Sequence, residues 1–340
     1  MVRVSIAILL VSAAGIGACA ESVEPVSTAP ASTSCYDWGC TGNSPVMGPF
    51  RSHEFHTGGL PNAEGLRVDG FWIGGTRYTP VVEGDRFYAW DGQNDVKAGA
   101  ELVDGYFRIL DGETGAELRM TVTGVSNEVT FWLGDADRVQ TYELSYVELP
   151  SLKAYSVCAN PPDKYDGSVA PATWDRRFEA ILFTGDRYDG ATKQIWTVGG
   201  DDTTGWFNIG CAGSALAKLH LNRHTTAGAK APYDAKVDAR QSLLNAFTAN
   251  LCGTGTAFTE PGMPLRWINA AGWKSPLDPA WDLEAVWGPD GAVCVDDVYR
   301  LPGFDPSTAP CASQIPHCRD LPGYDEAQWK SWGVVRTAVP

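Results

Sequence analysis

The cysteines constrain this chain more than any other residue type, because their number and context predict the compartment in which it folds. The chain has 340 residues and nine cysteines. The first, Cys19, follows a cationic start, Met1-Val2-Arg3, and a run of apolar or small residues from Val4 to Ala18. A bilayer span takes about 20 residues, so this shorter run is typical of a secretory signal. We predict that residues 1–18 direct export and are then removed.

The segment Ile16-Gly17-Ala18-Cys19 resembles the lipobox of bacterial lipoproteins, in which small residues precede the cysteine that is acylated. The resemblance implies a lipid on Cys19 as the membrane partner, and an envelope location in the outer membrane, with the body periplasmic or surface-exposed. Cleavage near Ala18 or Ala20 that leaves Cys19 free is the alternative. Residues 19–49 begin with a run rich in Glu, Pro, Ser, Thr and Ala, which predicts a lipidated flexible tether.

Eight cysteines remain, and an even number in an exported chain predicts disulfides, four at most. We expect two close pairs to form local loops, Cys35–Cys40 in the tether and Cys311–Cys318 near the C-terminus. The four cysteines between these pairs then have three possible connectivities. Zinc is less favoured, because no Cys-x-x-Cys spacing occurs and no histidine is interleaved at ligand spacing. The disulfide candidates are Cys35, Cys40, Cys158, Cys211, Cys252, Cys294, Cys311 and Cys318.

The charge of the chain excludes some partners. A net charge of −15 at pH 7 disfavours nucleic acid, whose phosphates the chain would repel, and direct adsorption to anionic lipid. The sequence contains no Gly-x-Ser-x-Gly, no Ser-x-x-Lys and no glycine-rich phosphate loop. We therefore predict no cofactor and assign no catalytic residue.

Residues 50–150 have the pattern of a β-rich module. Short apolar and aromatic runs are separated by turn dipeptides such as Asp91-Gly92, Asp104-Gly105 and Asp111-Gly112. Turns about ten residues apart are typical of an antiparallel sandwich or small barrel. The predicted strands include Gly70–Ile73, Tyr106–Leu110, Leu118–Val122, Val129–Leu133 and Tyr142–Tyr146.

Residues 151–300 predict an α+β module with two helices on a small sheet, so the whole fold is α+β and mainly β. The longer helix has Val237, Leu244, Phe247 and Leu251 on one side, with Gly253 as its C-terminal cap. The predicted elements are strands at Glu179–Thr184 and Gly205–Cys211, helices at Ala212–His220 and Asp234–Leu251, a β-hairpin at Glu284–Val295, and an irregular proline-rich tail at 301–340.

Three ordered segments of this second half, Phe207–Lys218, Phe247–Gly255 and Trp287–Cys294, together resemble the ADYC domain. Proteins with this domain are exported bacterial proteins, frequent in myxobacteria, and the domain is named for a four-residue motif at a helix end. Here that motif reads Ala249-Asn250-Leu251-Cys252, so two of its letters differ. The resemblance covers roughly residues 155–300 and implies a fold and an exported location, but no activity. Relatives carry cysteines where this chain has Leu219 and Leu243, which implies that these residues lie on facing helices.

Cys211 is the strongest catalytic candidate. It follows a predicted strand and opens a predicted helix, and the N–H groups at a helix N-terminus lower the pKa of a thiol. With a histidine nearby, Cys211 would be the nucleophile of a cysteine hydrolase. The even count of cysteines in an exported chain favours a disulfide instead.

Two histidine pairs are candidate metal ligands. His220 and His224 are four residues apart, which would place both on one side of a continuing helix. His53 and His56 form a similar pair in a loop. No carboxylate is placed by sequence to complete either set, so we predict no metal site.

Aromatic and acidic residues suggest two further kinds of site. Trp72, Tyr78, Tyr88 and Trp90 lie in the β-rich module, where exposed rings could stack on sugars and buried rings would belong to the core. Asp-Gly pairs and the segments Gly134–Asp137 and Gly200–Asp202 do not follow an EF-hand pattern and are interpreted as turns.

The sequence favours a non-enzymatic, lipid-anchored envelope protein that serves as a binding or structural module. Its protein or glycan partner is left open. One alternative is an exported hydrolase of envelope or extracellular polymers, which would use Cys211 or an unidentified carboxylate pair. A second alternative is a carbohydrate-binding β module.

Overall fold

The computed structural model describes residues 45–148, 153–158, 176–196, 203–259, 263–275, 281–301, 303–305, 308–325, 329–331 and 333–340. The two helices are α1 (Ala215–Leu221) and α2 (Val237–Thr248). The strands are β1 (Val46–Met47), β2 (Phe50–Arg51), β3 (Glu54–His56), β4 (Leu66–Ile73), β5 (Thr76–Glu83), β6 (Arg86–Trp90), β7 (Val96–Ala98), β8 (Tyr106–Asp111), β9 (Glu117–Thr130), β10 (Arg138–Glu148), β11 (Ala154–Ser156), β12 (Glu179–Thr184), β13 (Arg187–Asp189), β14 (Gln194–Trp196), β15 (Trp206–Cys211), β16 (Arg266–Asn269), β17 (Asp282–Gly288), β18 (Gly291–Val295) and β19 (Val335–Val339).

An eleven-stranded antiparallel sheet dominates the fold, in the order β3-β15-β12-β10-β9-β8-β4-β5-β6-β7 with β11 paired to β10. Two-residue loops join β4 to β5 and β5 to β6. In the first, Gly74 and Gly75 both have positive φ, which the tight hairpin turn requires and which only glycine adopts readily. The sheet curves until its two halves meet. At the point of contact, the Thr184 N–H on β12 donates to Gly84 O, between β5 and β6, at 2.8 Å.

The interior of the curved sheet is an aromatic core. Phe71, Phe87 and Phe107 make mutual ring contacts with centroid distances of 4.8–4.9 Å. Phe55 and Phe207, from the opposite half, complete the cluster, and all five rings are fully buried. Because strand residues alternate between the two sides of a sheet, the same strands present their other residues outward.

The two predicted helices are confirmed, with later starts and, for the longer one, an earlier end. α1 begins after Ser214, whose hydroxyl accepts from the Ala217 N–H. α2 ends at Thr248, where Ala249 adopts a left-handed conformation and the Asn250 N–H donates to Asn245 O. That pattern is a Schellman cap, so the prediction of Gly253 as the cap is wrong. Gly253 lies in the loop beyond it.

A four-stranded antiparallel sheet, β16-β19-β17-β18, packs against α2. The predicted hairpin is confirmed as β17 and β18. The prediction of a wholly irregular tail is wrong at Val335–Val339, because this segment is β19 and pairs with both β16 and β17.

Three disulfides lie in the described residues: Cys158–Cys211, Cys252–Cys311 and Cys294–Cys318. The predicted local pair Cys311–Cys318 is wrong, and so is the expectation that Cys252 and Cys294 pair within the central four. The Val295 N–H donates to Pro316 O, which holds the tail beside β18 and brings Cys318 to Cys294. The predicted pair Cys35–Cys40 lies outside the described residues.

Strands from both sides of residue 150 share the large sheet, since β9 and β12 both pair with β10. The predicted limits of the two modules remain predictions. Leu219 on α1 and Leu243 on α2 are both fully buried in one apolar cluster, and the two helices contact each other. This arrangement agrees with the facing helices that the family resemblance implies.

A buried polar network fixes β19 to its neighbours. The Thr337 hydroxyl donates to Glu284 Oε2 at 2.9 Å and accepts from the Trp287 indole N–H at 2.8 Å. Arg300 Nε donates to Glu284 Oε1 at 2.6 Å, and its Nη1 donates to Ala246 O at 2.7 Å, at the end of α2.

We expect Thr337→Val to lower the free energy of unfolding by about 2–3 kcal/mol, because it leaves the indole N–H of Trp287 buried without an acceptor and removes one of the two donors to Glu284 Oε2, the other being Arg300. Thr337→Ser keeps the hydroxyl and is the matched control, with an expected loss of about 1 kcal/mol for the methyl group. Urea unfolding of both variants measures the difference. Equal losses would show that the hydroxyl does not hold the strand.

Candidate binding surface

Cys211 is the last residue of β15, opposite Ala180 of β12, and lies before the N-cap of α1 at Ser214. It is fully buried, and its sulfur is bonded to Cys158. The helix that follows starts only at Ala215, so its dipole does not act on Cys211. The bonded sulfur is therefore not a nucleophile in this structure.

His220 is fully buried and stacks against Phe183, with ring centroids 4.8 Å apart. Its Nδ1 is 2.9 Å from Thr225 Oγ1 and its Nε2 is 3.4 Å from Asp85 Oδ2. The hydroxyl, imidazole and carboxylate follow each other as in a catalytic triad. However, the Thr225 hydroxyl is buried and also accepts a hydrogen bond from the Gly228 N–H, so it is not accessible to a substrate. The set connects the end of α1 to the β5–β6 turn, which is a structural role.

His224 is also fully buried and has different partners from His220. Its Nδ1 lies 2.6 Å from Asn222 O and carries the proton, while Nε2 accepts from the Asn269 amide at 3.2 Å. Burial is the main reason that the pKa of His224 is lowered to about 4. The hydrogen bond to Asn222 acts to raise this pKa, and the positive charge of Arg240 acts to lower it further. The two rings are separate core residues and do not form the metal pair considered from sequence.

His53 and His56 are likewise bound to backbone atoms. The predicted loop position of His56 is wrong, because it is the last residue of β3. His53 Nε2 is 2.6 Å from Tyr188 O. His56 Nε2 is 3.1 Å from Thr204 O, and its Nδ1 accepts from the Gly58 N–H. Each ring therefore fixes a loop, and the two do not share a partner.

One group in the described part of the chain has the geometry of a metal site, formed by Asp296, Asp297 and His317. Sequence reasoning did not find it, because the tail meets β18 only in the fold. His317 Nε2 lies 2.9 Å from Asp297 Oδ1, and Arg319 pairs with both carboxylates. Hydrogen bonds from His317 and Arg319 lower the pKa of Asp297. The group is an exposed ion-pair network in which Arg319 already supplies the positive charge.

The segment Gly134–Asp137 is a loop held by ion pairs. Asp137 binds Arg223 Nη2 at 2.9 Å and Lys230 Nζ at 2.6 Å. This pairing agrees with its interpretation as a turn. The segment Gly200–Asp202 lies outside the described residues.

The outward side of the large sheet carries a group of aromatic rings. Trp72 lies opposite Tyr106 on β8 and opposite Arg77 on β5. Tyr88 and Trp90 lie two residues apart on β6 and, through their β5 partners, share this side. Trp90 is 41% exposed, among the most exposed large apolar residues described. We call this surface the aromatic face, defined by Trp72, Tyr88, Trp90 and Tyr106.

Tyr78 is the sequence candidate that the structure removes from this face. It lies opposite Phe71, points into the core and is buried, and its hydroxyl donates to Asp95 Oδ2. Tyr106 is the ring that sequence reasoning missed as a site residue. It was placed in a predicted strand, and only the β4–β8 register shows that it lies beside Trp72.

Charged side chains lie beside Trp72 and Tyr106, mostly in pairs. Arg108 contacts Asp69 at 3.1 Å and Glu117 at 2.8 Å, and Arg119 contacts Glu117 at 3.2 Å. Arg77 reaches across Gly70 to Asp69 O, where a larger residue would collide with it. Burial acts to raise the pKa of Glu117, but hydrogen bonds from the two arginines outweigh it and lower that pKa. Arg108 and Arg119 are thus held in place and largely neutralised by carboxylates, whereas Arg77 is held by a backbone oxygen.

The fold and this surface define a mainly β, disulfide-bonded protein with an exposed aromatic face. The three disulfides indicate an oxidising extracellular environment. The family model of the ADYC domain matches residues 99–301, more than half of the chain. The chain therefore belongs to the ADYC domain family. A comparison with curated proteins and one with solved structures each gave no match.

The four residues of the family motif close the end of α2. Ala249 caps the helix, and Asn250 accepts from the Gly255 N–H at 2.9 Å and donates to Asn245. Leu251 is buried, and Cys252 forms the disulfide to Cys311. The motif is therefore a structural device that turns the chain after the helix and attaches the tail to it.

Among the described residues, none of the helices has the length and apolar character needed to cross a membrane.

We expect His224 to reduce stability in mild acid. The unfolded state takes up a proton below the ordinary histidine pKa of 6.5, but the folded state does so only below about 4. The stability that neutral His224 contributes is therefore fully present above pH 6.5. Between pH 6.5 and 4 the free energy of unfolding falls by about 3 kcal/mol. Urea unfolding from pH 7 to 4 should show the difference between wild type and His224→Gln shrinking as pH falls. A constant difference across this range would contradict the assignment.

Proposed function

We propose that the protein is a non-enzymatic binding protein of the bacterial envelope, anchored by lipid on Cys19, and that it binds through the aromatic face. The observation that carries the proposal is the exposure of Trp90 beside Tyr88, Trp72 and Tyr106. The other three rings are partly buried. Aromatic residues grouped on one solvent-facing surface are characteristic of binding sites. A hydrolase that uses Cys211 is not favoured, because the sulfur of Cys211 is bonded to Cys158 and is not a free thiol.

The anchor is supported by sequence and by chemistry in the body. Ile16-Gly17-Ala18-Cys19 follows the apolar run directly, and Cys19 itself lies outside the described residues. Disulfides persist in exported proteins and are rare in the cytosol. A tether between Cys19 and the first described strand would separate the face from the membrane.

We expect Cys19→Ser to release the protein from the membrane. When the full chain is expressed in a bacterium with labelled palmitate, wild type should fractionate with membranes and carry label on its N-terminal peptide. The variant should be unlabelled and soluble, because single or no acyl chains do not hold a protein stably. An unlabelled wild type with an unmodified N-terminus would favour ordinary signal cleavage instead.

We expect the Cys19→Ser protein without its signal residues 1–18 to sediment with fragments of a Gram-negative envelope, and Trp90→Ala in this background to reduce the bound fraction at least fivefold. Trp196→Ala is the matched control, because Trp196 is 45% exposed and lies on the separate β13–β14 ribbon. Exposed substitutions change stability by about 0.5 kcal/mol or less, so both variants should fold. Equal sedimentation of both variants would exclude the face as the binding surface.

A further inference from the structure

We propose that the aromatic face binds an uncharged polysaccharide chain. This inference rests on the proposed binding function and names its ligand class. It follows from three features of the face: the spacing of its rings, the pairing of its charges, and an indole donor that lacks an acceptor.

The rings are spread over an extended surface. Neighbouring strands lie about 4.8 Å apart and residues two apart on one strand about 6.8 Å apart. Trp72 on β4 and Trp90 on β6 are separated by one intervening strand, so about 10 Å lies between them in the direction across the sheet. A single small molecule would use one ring. A chain of linked saccharides presents repeated apolar C–H faces that stack on several rings along such a surface.

The charges of the face suit a ligand that is polar and neutral. Beside Trp72 and Tyr106, Arg108 and Arg119 are paired with Asp69 and Glu117, so neither sign dominates in this part of the face. Arg77, between Trp72 and the rings of β6, binds the carbonyl oxygen of Asp69. The paired groups keep free N–H donors and carboxylate lone pairs, which match the hydroxyl groups of sugars. An acidic polymer would gain no net attraction here, and the net charge of −15 would repel it.

The indole N–H of Trp72 supports the same ligand class. This nitrogen is shielded from solvent and has no hydrogen-bond partner among the described residues. Buried N–H groups in proteins nearly always have an acceptor. A small rotation of the half-buried ring would present the donor to a ligand hydroxyl, beside the Tyr106 ring that Arg119 covers at 5.1 Å.

The test is affinity electrophoresis of the Cys19→Ser protein without its signal residues 1–18 in native gels, where its negative charge drives migration. Separate gels contain hydroxyethylcellulose, galactomannan, a soluble β-1,3-glucan, or polygalacturonate as the acidic comparison. We expect at least one neutral polymer to retard the protein more than polygalacturonate does. Trp90→Ala and Tyr88→Ala should each weaken that retardation at least tenfold, whereas Trp196→Ala should leave it unchanged. Matching thermal midpoints of the variants show that the fold is intact.

Other outcomes overturn the inference. Retardation by polygalacturonate alone would identify an acidic ligand, and binding only to vesicles of anionic phospholipid would identify a membrane surface. Retardation that persists in both Trp90→Ala and Tyr88→Ala would place the site elsewhere. If no neutral polymer retards the protein but envelope fragments still sediment it in a Trp90-dependent way, the ligand class is wrong while the proposed binding function stands.

Discussion

The packing of five phenylalanine rings inside the curved sheet is the constraint on which the rest of the structure depends. Phe71, Phe87 and Phe107 come from β4, β6 and β8, and Phe55 and Phe207 come from β3 and β15, so the two halves of the sheet share one core. Because side chains alternate along a strand, the residues that do not face this core must all lie on the other side of the sheet. On β12 and β15 that other side is covered by α1 and its apolar cluster. On β4 to β8 it faces solvent and forms the aromatic face.

The C-terminal part depends on a different kind of interaction. Its small sheet has β19 between β16 and β17, and Thr337 on β19 joins the buried charge of Glu284 to the indole of Trp287. Arg300 neutralises that charge and binds the end of α2. A buried carboxylate without its cation would be strongly destabilising, so the helix, the hairpin and the last strand are required together. The family match ends at residue 301, and the small sheet is completed by residues beyond it.

Much of the fold could be predicted from local pattern, and the errors share one physical cause. Strands, two helices and the hairpin at Glu284–Val295 follow from periodicity and turn residues, which act over short distances. The pairing of Cys311 and Cys318 was wrong because disulfides depend on which segments meet in space, and the tail meets β18 only after folding. His220 and His224 look like ligands in sequence and are core residues, since burial is set by the whole fold. Tyr78 points into the core and Tyr106 points outward. This difference follows from the register of the paired strands, which the sequence of a single strand does not reveal.

The strand register also shows which rings of the aromatic face stabilise the fold and which do not. Trp72 and Tyr106 are directly opposite each other, and such cross-strand aromatic pairs stabilise a sheet by up to about 1 kcal/mol. Trp90 lies opposite Thr79 and Val96 and is among the most exposed apolar residues described, so it contributes little to folding. Trp196 is equally exposed but lies over Arg187, whose guanidinium also stacks on Trp206 and pairs with the buried Glu54. Trp196 thus has a structural reason for its position. Contacts within the fold do not account for the exposure of Trp90, which is why we propose it as a ligand contact.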